Sequence, residues 1–304
     1  MTTKKNFRCG YVAIVGRPNV GKSTLLNALV GEKISIVSSK PHTTRHRILG
    51  VLTRSSEQAV FVDTPGLQSA SKAYKKSVLH RSMARTINQA VEDADVILMV
   101  VEANRLTRND LHLGGLLKDK TERTILVLNK IDTIGSRAAL LPALDKAAQQ
   151  LPSSAFVPVS AVKGTNLEGL TNEIISRLPL GAALFPKDTL TDRDDSFRIA
   201  EIIREKLFSL VHKEVPYGLT VEVEHLGRNE ENQWLIHAVI WVESKSHKPI
   251  VIGKGGCILK AAGQAARKEL IEFFSDRVHL ELWVKIREHW SDSERELKKL
   301  GFDL

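Results

Sequence analysis

Between the apolar runs Tyr11–Gly16 and Leu25–Gly31 lies the stretch Gly-Arg-Pro-Asn-Val-Gly-Lys-Ser-Thr, residues 16–24. Gly16 and Gly21 bracket four residues and are followed by Lys22 and Ser23, the spacing G-x-x-x-x-G-K-[ST] of a phosphate-binding loop. Glycines let backbone N–H groups turn inward around an anion, and the helix that follows presents its partly positive N-terminus to the same place. The segment therefore predicts a phosphate cradle made by Gly16, Arg17, Pro18, Asn19, Val20 and Gly21 and continued by Lys22, Ser23 and Thr24. Lys22 is expected to reach the terminal phosphates, and the Ser23 hydroxyl to hold Mg2+.

A phosphate loop alone does not name the base. Asn129-Lys130-Ile131-Asp132 directly follows the strand-like run Thr124–Leu128, and the carboxyl ends of parallel strands open into the ligand crevice. A carboxylate can accept from adjacent N–H groups on the Watson–Crick edge of guanine, whereas adenine shows no such donor pair, so Asp132 is the expected guanine selector. Asn129 would brace the base and loop, and the Lys130 stem would cover one face of the ring. Ser160 opens a loop after the last strand, which puts the Ala161 N–H near the guanine oxygen. Asp63-Thr64-Pro65-Gly66 ends another apolar run: Asp63 is expected to hold Mg2+ through water, and the Gly66 N–H to sense the γ-phosphate. Of Thr43 and Thr44 in the stretch from Pro41 to Arg47, Thr44 is the favoured Mg2+ ligand. Lys22, Thr44 and Gly66 together are the expected hydrolytic residues.

The elements that must position these residues are legible as apolar runs suited to buried strands, at 58–64, 95–101, 124–130 and 155–160. They alternate with helix-length segments near 72–92, 107–120, 137–150 and 167–177. That alternation predicts an α/β domain over residues 1–178: a parallel sheet with helices on both faces. Ile48–Arg54, just before 58–64, reads as a partner strand after a short turn, which gives one antiparallel edge. Residues 179–195, with two prolines, a glycine and an acidic cluster, read as a linker. A second, α+β domain is expected over 196–290 in the order helix, strand, strand, glycine loop, helix, strand, with 291–304 as a tail. Its glycine loop, Gly253-Lys254-Gly255-Gly256, lies between the strand-like Pro249–Ile252 and a helix opening at Cys257, so a nucleic-acid backbone could approach closely. From Ser244 to Lys268 there are six Lys and Arg, Lys254 and Lys260 among them, and no acidic residue. Trp283 alternates with Leu282 and Val284, so it faces away from their side of the strand. It could stack on a base, although packing against the tail is the expectation.

The 304 residues carry a net charge of +9, and its location is informative. Residues 1–195 hold 27 Lys and Arg against 18 Asp and Glu, whereas 196–304 hold 17 of each, so the excess lies entirely in the first part. Lys33–Ser56 and Leu67–Val91 contain no acidic residue, which fits either a polyanionic partner or an ordinary solvated face. Cys9 and Cys257 are far apart, so neither a disulfide framework nor a C-x-x-C metal site is expected, and a reducing cytoplasm fits best. The N-terminal apolar run is too short for a signal peptide or a membrane span.

Taken in order, these motifs resemble the translation-factor branch of GTPases, and within it the bacterial ribosome-assembly GTPases of the Era family. The stretch Val251–Leu259 is similar to the G-x-x-G loop of KH domains, and the order of elements suits the type II KH arrangement. The resemblance covers nearly the whole chain, with His42 standing where the family leads one to expect glutamine. It implies a monomer that binds GTP and GDP with Mg2+, hydrolyses GTP, and recognises the 3′ end of 16S ribosomal RNA during maturation of the 30S subunit. Gly253, Lys254, Gly255, Gly256 and Lys260 would touch the RNA. It also implies peripheral contact with the cytoplasmic face of the inner membrane. Leu67 follows Gly66 where many regulatory GTPases carry a water-orienting glutamine, so slow intrinsic turnover is expected, with Asn19 as the candidate ligand for a K+ ion. An RNA-modifying GTPase would need a further catalytic cluster that the chain does not show. A purely structural RNA binder would not need the complete set of nucleotide motifs.

Overall fold

The computed structural model describes residues 7–38, 40, 43–66, 78–135 and 137–302. The chain divides into two compact units: one ends at Asp192, and the other runs from Arg193 onward and also takes in Ile36–Thr43.

The first unit is built on a six-stranded sheet: β1 (Arg8–Val15), β2 (Ile48–Thr53), β3 (Glu57–Asp63), β4 (Val96–Glu102), β5 (Thr124–Asn129) and β6 (Ala155–Pro158), in the order β2-β3-β1-β4-β5-β6. All neighbours are parallel except β2 and β3, the antiparallel edge expected from the sequence. Side chains alternate across a strand, so each face collects its own core. Val12 and Ile14 of β1 pack with Leu25 and Leu29 of α1 (Lys22–Val30) and Leu170 and Ile174 of α5 (Leu167–Arg177). Ala13 and Val15 pack in the opposite core with Ile87 and Val91 of α2 (Val78–Asp93), Leu113 of α3 (Arg108–Leu116) and Ala147 of α4 (Arg137–Gln150). Burial on both faces is why β4 and β5 read as unbroken apolar runs rather than alternating ones.

Residues 179–192, read from the sequence as linker, instead run hydrogen-bonded along this sheet. The Cys9 N–H donates to the Pro179 carbonyl and the Gly181 N–H to that of Phe7, 3.0 and 2.9 Å. The buried Gln58 amide accepts from the N–H groups of Leu184 and Phe185 and donates to the Phe185 carbonyl. Along the outer edge of β2, Gly50 pairs with Thr191, the Val51 N–H donates to Leu190, and the Leu49 N–H donates to the Asp192 carboxylate. The reason is backbone accounting: the edge strand's donors find partners in this strap.

The second unit begins with α6 (Asp195–Leu210), whose N-cap Asp194 accepts from the Phe197 N–H at 2.8 Å. Next come β7 (Leu219–Arg228), β8 (Trp234–Val242), α7 (His247–Ile252), α8 (Cys257–Phe274), β9 (Val278–Ile286) and a last short helix, α9 (Glu294–Lys299). The sheet order is β7-β8-β9, antiparallel then parallel. Its inner face, with Ile236, Ala238 and Ile240, packs on Ile199, Ile203 and Leu207 of α6 and Ala262, Ala266 and Leu270 of α8. In the same unit, Lys40 donates to the carbonyls of Phe208 and Val211, and Arg204, paired with Glu201, donates to the Thr43 carbonyl.

Two expectations for this unit are corrected. Pro249–Ile252 is helical, not strand-like, as the last four residues of α7. Proline suits its third helical position, where an N–H would have no partner within the helix. Trp283 is 41% exposed on the outer sheet face, at right angles to the His237 ring 5.3 Å away, rather than packed into a core with the described part of the tail. The tail is held by Trp290 instead, which is buried 5.9 Å from Phe302 and donates to the Gly218 carbonyl.

Candidate functional site

The phosphate loop connects β1 to α1 at the carboxyl end of the sheet. Gly21 caps α1 with φ +96°, and no side chain caps the helix, so its first N–H groups face the loop. A side chain at Gly21 is excluded, because a Cβ there would lie 2.4 Å from Asn129 Nδ2. Gly16 passes close to the Val100 carbonyl, and Gly66 lies against Pro18. Val20 is fully buried beneath the loop, and Asn19 takes a left-handed φ of 66°. The Lys22 ammonium donates to the Arg17 carbonyl at 3.2 Å, closing the cradle. Burial pushes the Lys22 amine down to about 8, against the raising effect of Asp63. Thr24 is the third residue of α1.

Beside the loop, three hydroxyls converge on one carboxylate oxygen. Asp63 Oδ2 accepts from Ser23 Oγ at 2.7 Å, Ser35 Oγ at 2.9 Å and Thr44 Oγ1 at 3.5 Å, and the Ser23 and Thr44 oxygens are 2.9 Å apart. Asp63 Oδ1 is buried and has no hydrogen-bond partner among the described residues. Burial raises the Asp63 carboxyl above the ordinary range, while Lys22 and the three hydroxyls oppose the shift. Hard oxygen donors with an unsatisfied buried carboxylate oxygen are the donor set Mg2+ takes, so the residues present fit that ion. Thr43 is directed elsewhere, its hydroxyl donating to the Lys40 carbonyl at 2.7 Å. Thr64 donates to the Ile14 carbonyl at 2.8 Å, tying the turn through Pro65 and Gly66 to β1. Leu67 and His42 lie outside the described residues, as do residues 67–77 of the second acid-free segment.

The base-recognition turn is clasped to the phosphate loop by Asn129. Its Nδ2 donates to the Val20 carbonyl at 2.9 Å, and its Oδ1 accepts from the Ala161 N–H at 3.0 Å, so one amide joins the phosphate loop to the loop after β6. Lys130 adopts φ 64° and folds back to donate to the Asn19 carbonyl at 2.6 Å. Asp132 is exposed and accepts from the Ser160 hydroxyl.

Three residues of this region lie outside the sequence motifs. Ser35 joins the Asp63 cluster because Asn27 of α1 accepts from the N–H groups of Ile34 and Ser35. Glu102, the last residue of β4, pairs with both Arg17 and Lys130. Asp110 takes Arg17 Nε at 3.3 Å while closing the capping box of α3 with Thr107. An acid ending an otherwise apolar buried strand was the available clue to Glu102.

In the second unit the glycine loop joins α7 to α8, and Gly253, Gly255 and Gly256 have φ of +78°, +60° and +77°. A Cβ at Gly253 would stand 2.8 Å from Ile258 N, whereas Gly255 and Gly256 open on free space. Lys254, Gly255 and Lys260 are exposed around the loop.

A phosphate loop at the carboxyl end of a mostly parallel sheet, with a hydroxyl–carboxylate cluster and an Asn-Lys-x-Asp turn beside it, defines a P-loop GTPase; a KH domain follows it. Comparison agrees: residues 11–130 match the family described as 50S ribosome-binding GTPase, and residues 214–291 match the KH domain. The chain is 49% identical over 297 residues to GTPase Era of Bordetella petrii, covering 98% of each, and 45% identical over 295 residues to GTPase Era of Pseudomonas aeruginosa, covering 97% and 95%. It superposes with a TM-score of 0.91 and 40% identity on Era in complex with MgGDPNP and nucleotides 1506–1542 of 16S ribosomal RNA, over 98% of this chain and 100% of that one. The same figures hold for a variant of Aquifex aeolicus Era bound to GDP.AlF4-. The chain belongs to the Era family of GTPases.

Proposed function

We propose that the chain binds GTP through the first unit, hydrolyses it to GDP and phosphate with Mg2+, and binds the 3′ end of 16S ribosomal RNA through the KH domain during 30S assembly. The observation that carries the reading is the convergence of Ser23, Thr44 and Asp63 on one point beside the phosphate loop. Ser23, Thr44 and Asp63 are the residues that would hold Mg2+, which when bound neutralises charge on the phosphate oxygens. Lys22 stabilises the negative charge that develops there, and the Gly66 N–H marks the terminal phosphate. Asp132 selects guanine, Asn129 fixes the two loops around the base, and the Lys130 stem covers it. With Leu67 after Gly66, turnover without a stimulating partner is slow, and Asn19 helps to hold K+.

The RNA reading is supported by the relative that carries this RNA and by the exposed, acid-free glycine loop. Two free cysteines are in keeping with a cytoplasmic place of work. Among the described residues no helix is long and apolar enough to cross a membrane, so the membrane contact implied by the resemblance would be peripheral. The test is multiple-turnover GTP hydrolysis with and without an RNA that ends in the 16S 3′ sequence, in K+ and in Na+ at constant ionic strength. Faster turnover with the RNA and with K+ is expected; no hydrolysis in any condition would leave an RNA binder with an inert nucleotide site.

A further inference from the structure

Arg17 lies inside the phosphate loop, yet its guanidinium is turned away from the cradle. Nη2 meets Glu102 Oε2, and Nε meets Asp110 Oδ2 at 3.3 Å. The other Glu102 oxygen, Oε1, takes the ammonium of Lys130, which also donates to the Asn19 carbonyl. One carboxylate thus holds the second residue of the phosphate loop with one oxygen and the second residue of the base-recognition turn with the other.

The backbone explains why this residue can do so. Glu102 ends β4 directly opposite Asn129, the last residue of β5, and the Ala103 N–H donates to the Asn129 carbonyl at 2.9 Å. The left-handed turn at Lys130 then brings its side chain back over the strand ends. Glu102 and Arg17 are largely buried, their side chains 16% and 15% exposed, and Asp110 is fully buried, so these pairs are poorly screened by solvent. Burial alone would push the Glu102 carboxyl up; the hydrogen bonds and charges of Lys130 and Arg17 outweigh it and hold the group below the usual carboxylate range.

We propose that Glu102 is a positioning residue that locks the phosphate loop to the base-recognition turn, so that grip on the phosphates and selection of guanine depend on one side chain that touches neither. Asp110 is the second anchor: it fixes Arg17 to the start of α3, so the loop end of the lock is set by the sheet and a helix together. It follows that Arg17 is committed to protein carboxylates and is not the positive charge that assists hydrolysis.

The inference rests on the guanine-nucleotide reading of this site, and the experiment keeps the two apart. Full-length wild type, Glu102→Gln and Glu102→Asp are compared by release of fluorescent GDP, by competition with GDP and with IDP, and by melting temperature. IDP lacks the exocyclic amine, so the GDP-over-IDP preference reports on the base turn alone. Glutamine keeps the shape but presents an amide donor to one of the two cations; aspartate keeps the charge but is a methylene too short to span both. Expected for Glu102→Gln are GDP release about 10- to 100-fold faster and a GDP-over-IDP preference reduced several-fold. Glu102→Asp falls between it and wild type, and it decides the matter if Glu102→Gln does not fold. An unchanged GDP-over-IDP preference in the variants overturns the proposal even if affinity or melting temperature drops, because Glu102 would then support only the phosphate loop or the fold. Failure of wild type itself to bind fluorescent GDP with Mg2+ overturns the nucleotide reading instead.

Discussion

The two glycine loops of this protein are built by opposite means. In the first unit, the phosphate loop is fastened from outside by side chains: Asn129 to Val20, Lys130 to Asn19, and Glu102 and Asp110 to Arg17. In the second, the loop after α7 is shaped by its own backbone, with three positive φ values and bonds from the Gly253 N–H to the Pro249 carbonyl, from the Gly256 N–H to the Gly253 carbonyl and from the Cys257 N–H to the Lys254 carbonyl. A small, densely charged phosphate rewards a cradle built in advance, because donors fixed in place need not reorganise when charge arrives. An RNA strand arrives as an extended chain and needs a loop over which its backbone can pass. Glycine makes room for neighbouring side chains at Gly21 and Gly253, whereas at Gly255 and Gly256 it leaves open space, which suits the RNA contact proposed for that loop.

The sharpest way to break the contrast is at Gly21. Gly21→Ala drives a methyl into the Asn129 amide, 2.4 Å away, at a backbone angle that itself costs roughly 1 to 2 kcal/mol in a non-glycine residue. Nucleotide binding is expected to fall by more than about a hundredfold, with a lower melting temperature for the first unit and intact RNA binding by the second. Near-normal GDP affinity in that variant would show that the Asn129 clasp is dispensable.

In the other loop the outcome should reverse. Gly255→Asp places its side chain in open space, so melting should change little beyond the φ penalty while specific RNA binding is lost and GDP binding persists. Gly253→Asp is the poorer test, because the 2.8 Å clash with Ile258 N would disturb α8 whether or not RNA is present. Normal RNA binding by Gly255→Asp, or equal affinity for a single strand and its duplex, would reduce the loop to a turn.

Smaller effects sharpen the comparison. Asp132→Asn should weaken GTP and favour xanthosine triphosphate, whose exocyclic oxygen suits an amide donor, by roughly 1 to 3 kcal/mol per group left unpaired. A nucleotide competition assay with unchanged preference removes Asp132 from base selection. The mildest change is Lys254→Ala: all RNAs should bind more weakly by a similar factor, and the dependence on log salt should drop by about 0.7, one phosphate contact to a single strand. A loss confined to one RNA sequence would mean that Lys254 reads a base.

How legible all this was in the sequence depended on whether the constraint was local. The phosphate loop and the Asn129–Asp132 turn announce themselves because their spacing is fixed by the ligand, and β4 and β5 do so because burial on both faces demands unbroken apolar runs. The lock at Glu102 was not legible, since Arg17 lies 85 residues away in sequence and only strand order brings them together. Pro249–Ile252 misled for a local reason: a short run of proline and branched residues satisfies a strand pattern and a helical turn that buries one residue, Val251, equally well. The segment 179–192 misled because its prolines and acids give no periodicity, although isolated bridges at Leu180 and Thr191 and bonds to the Gln58 side chain hold it to the sheet.

That strap has a bearing on how the protein behaves when handled. An uncovered edge strand is a template for pairing with another molecule, and natural proteins blunt such edges to stay dispersed. Here the open side of β2 is occupied by Leu190, Thr191 and Asp192 of the same chain. A first unit cut at Leu178 would keep its whole nucleotide site and yet expose the apolar edge Ile48–Leu52 to its own copies, whereas one cut after Asp192 would carry its cover with it. Colloidal behaviour, not catalysis, is what this short segment would decide, and light scattering on the two fragments would register it as aggregation of the shorter alone.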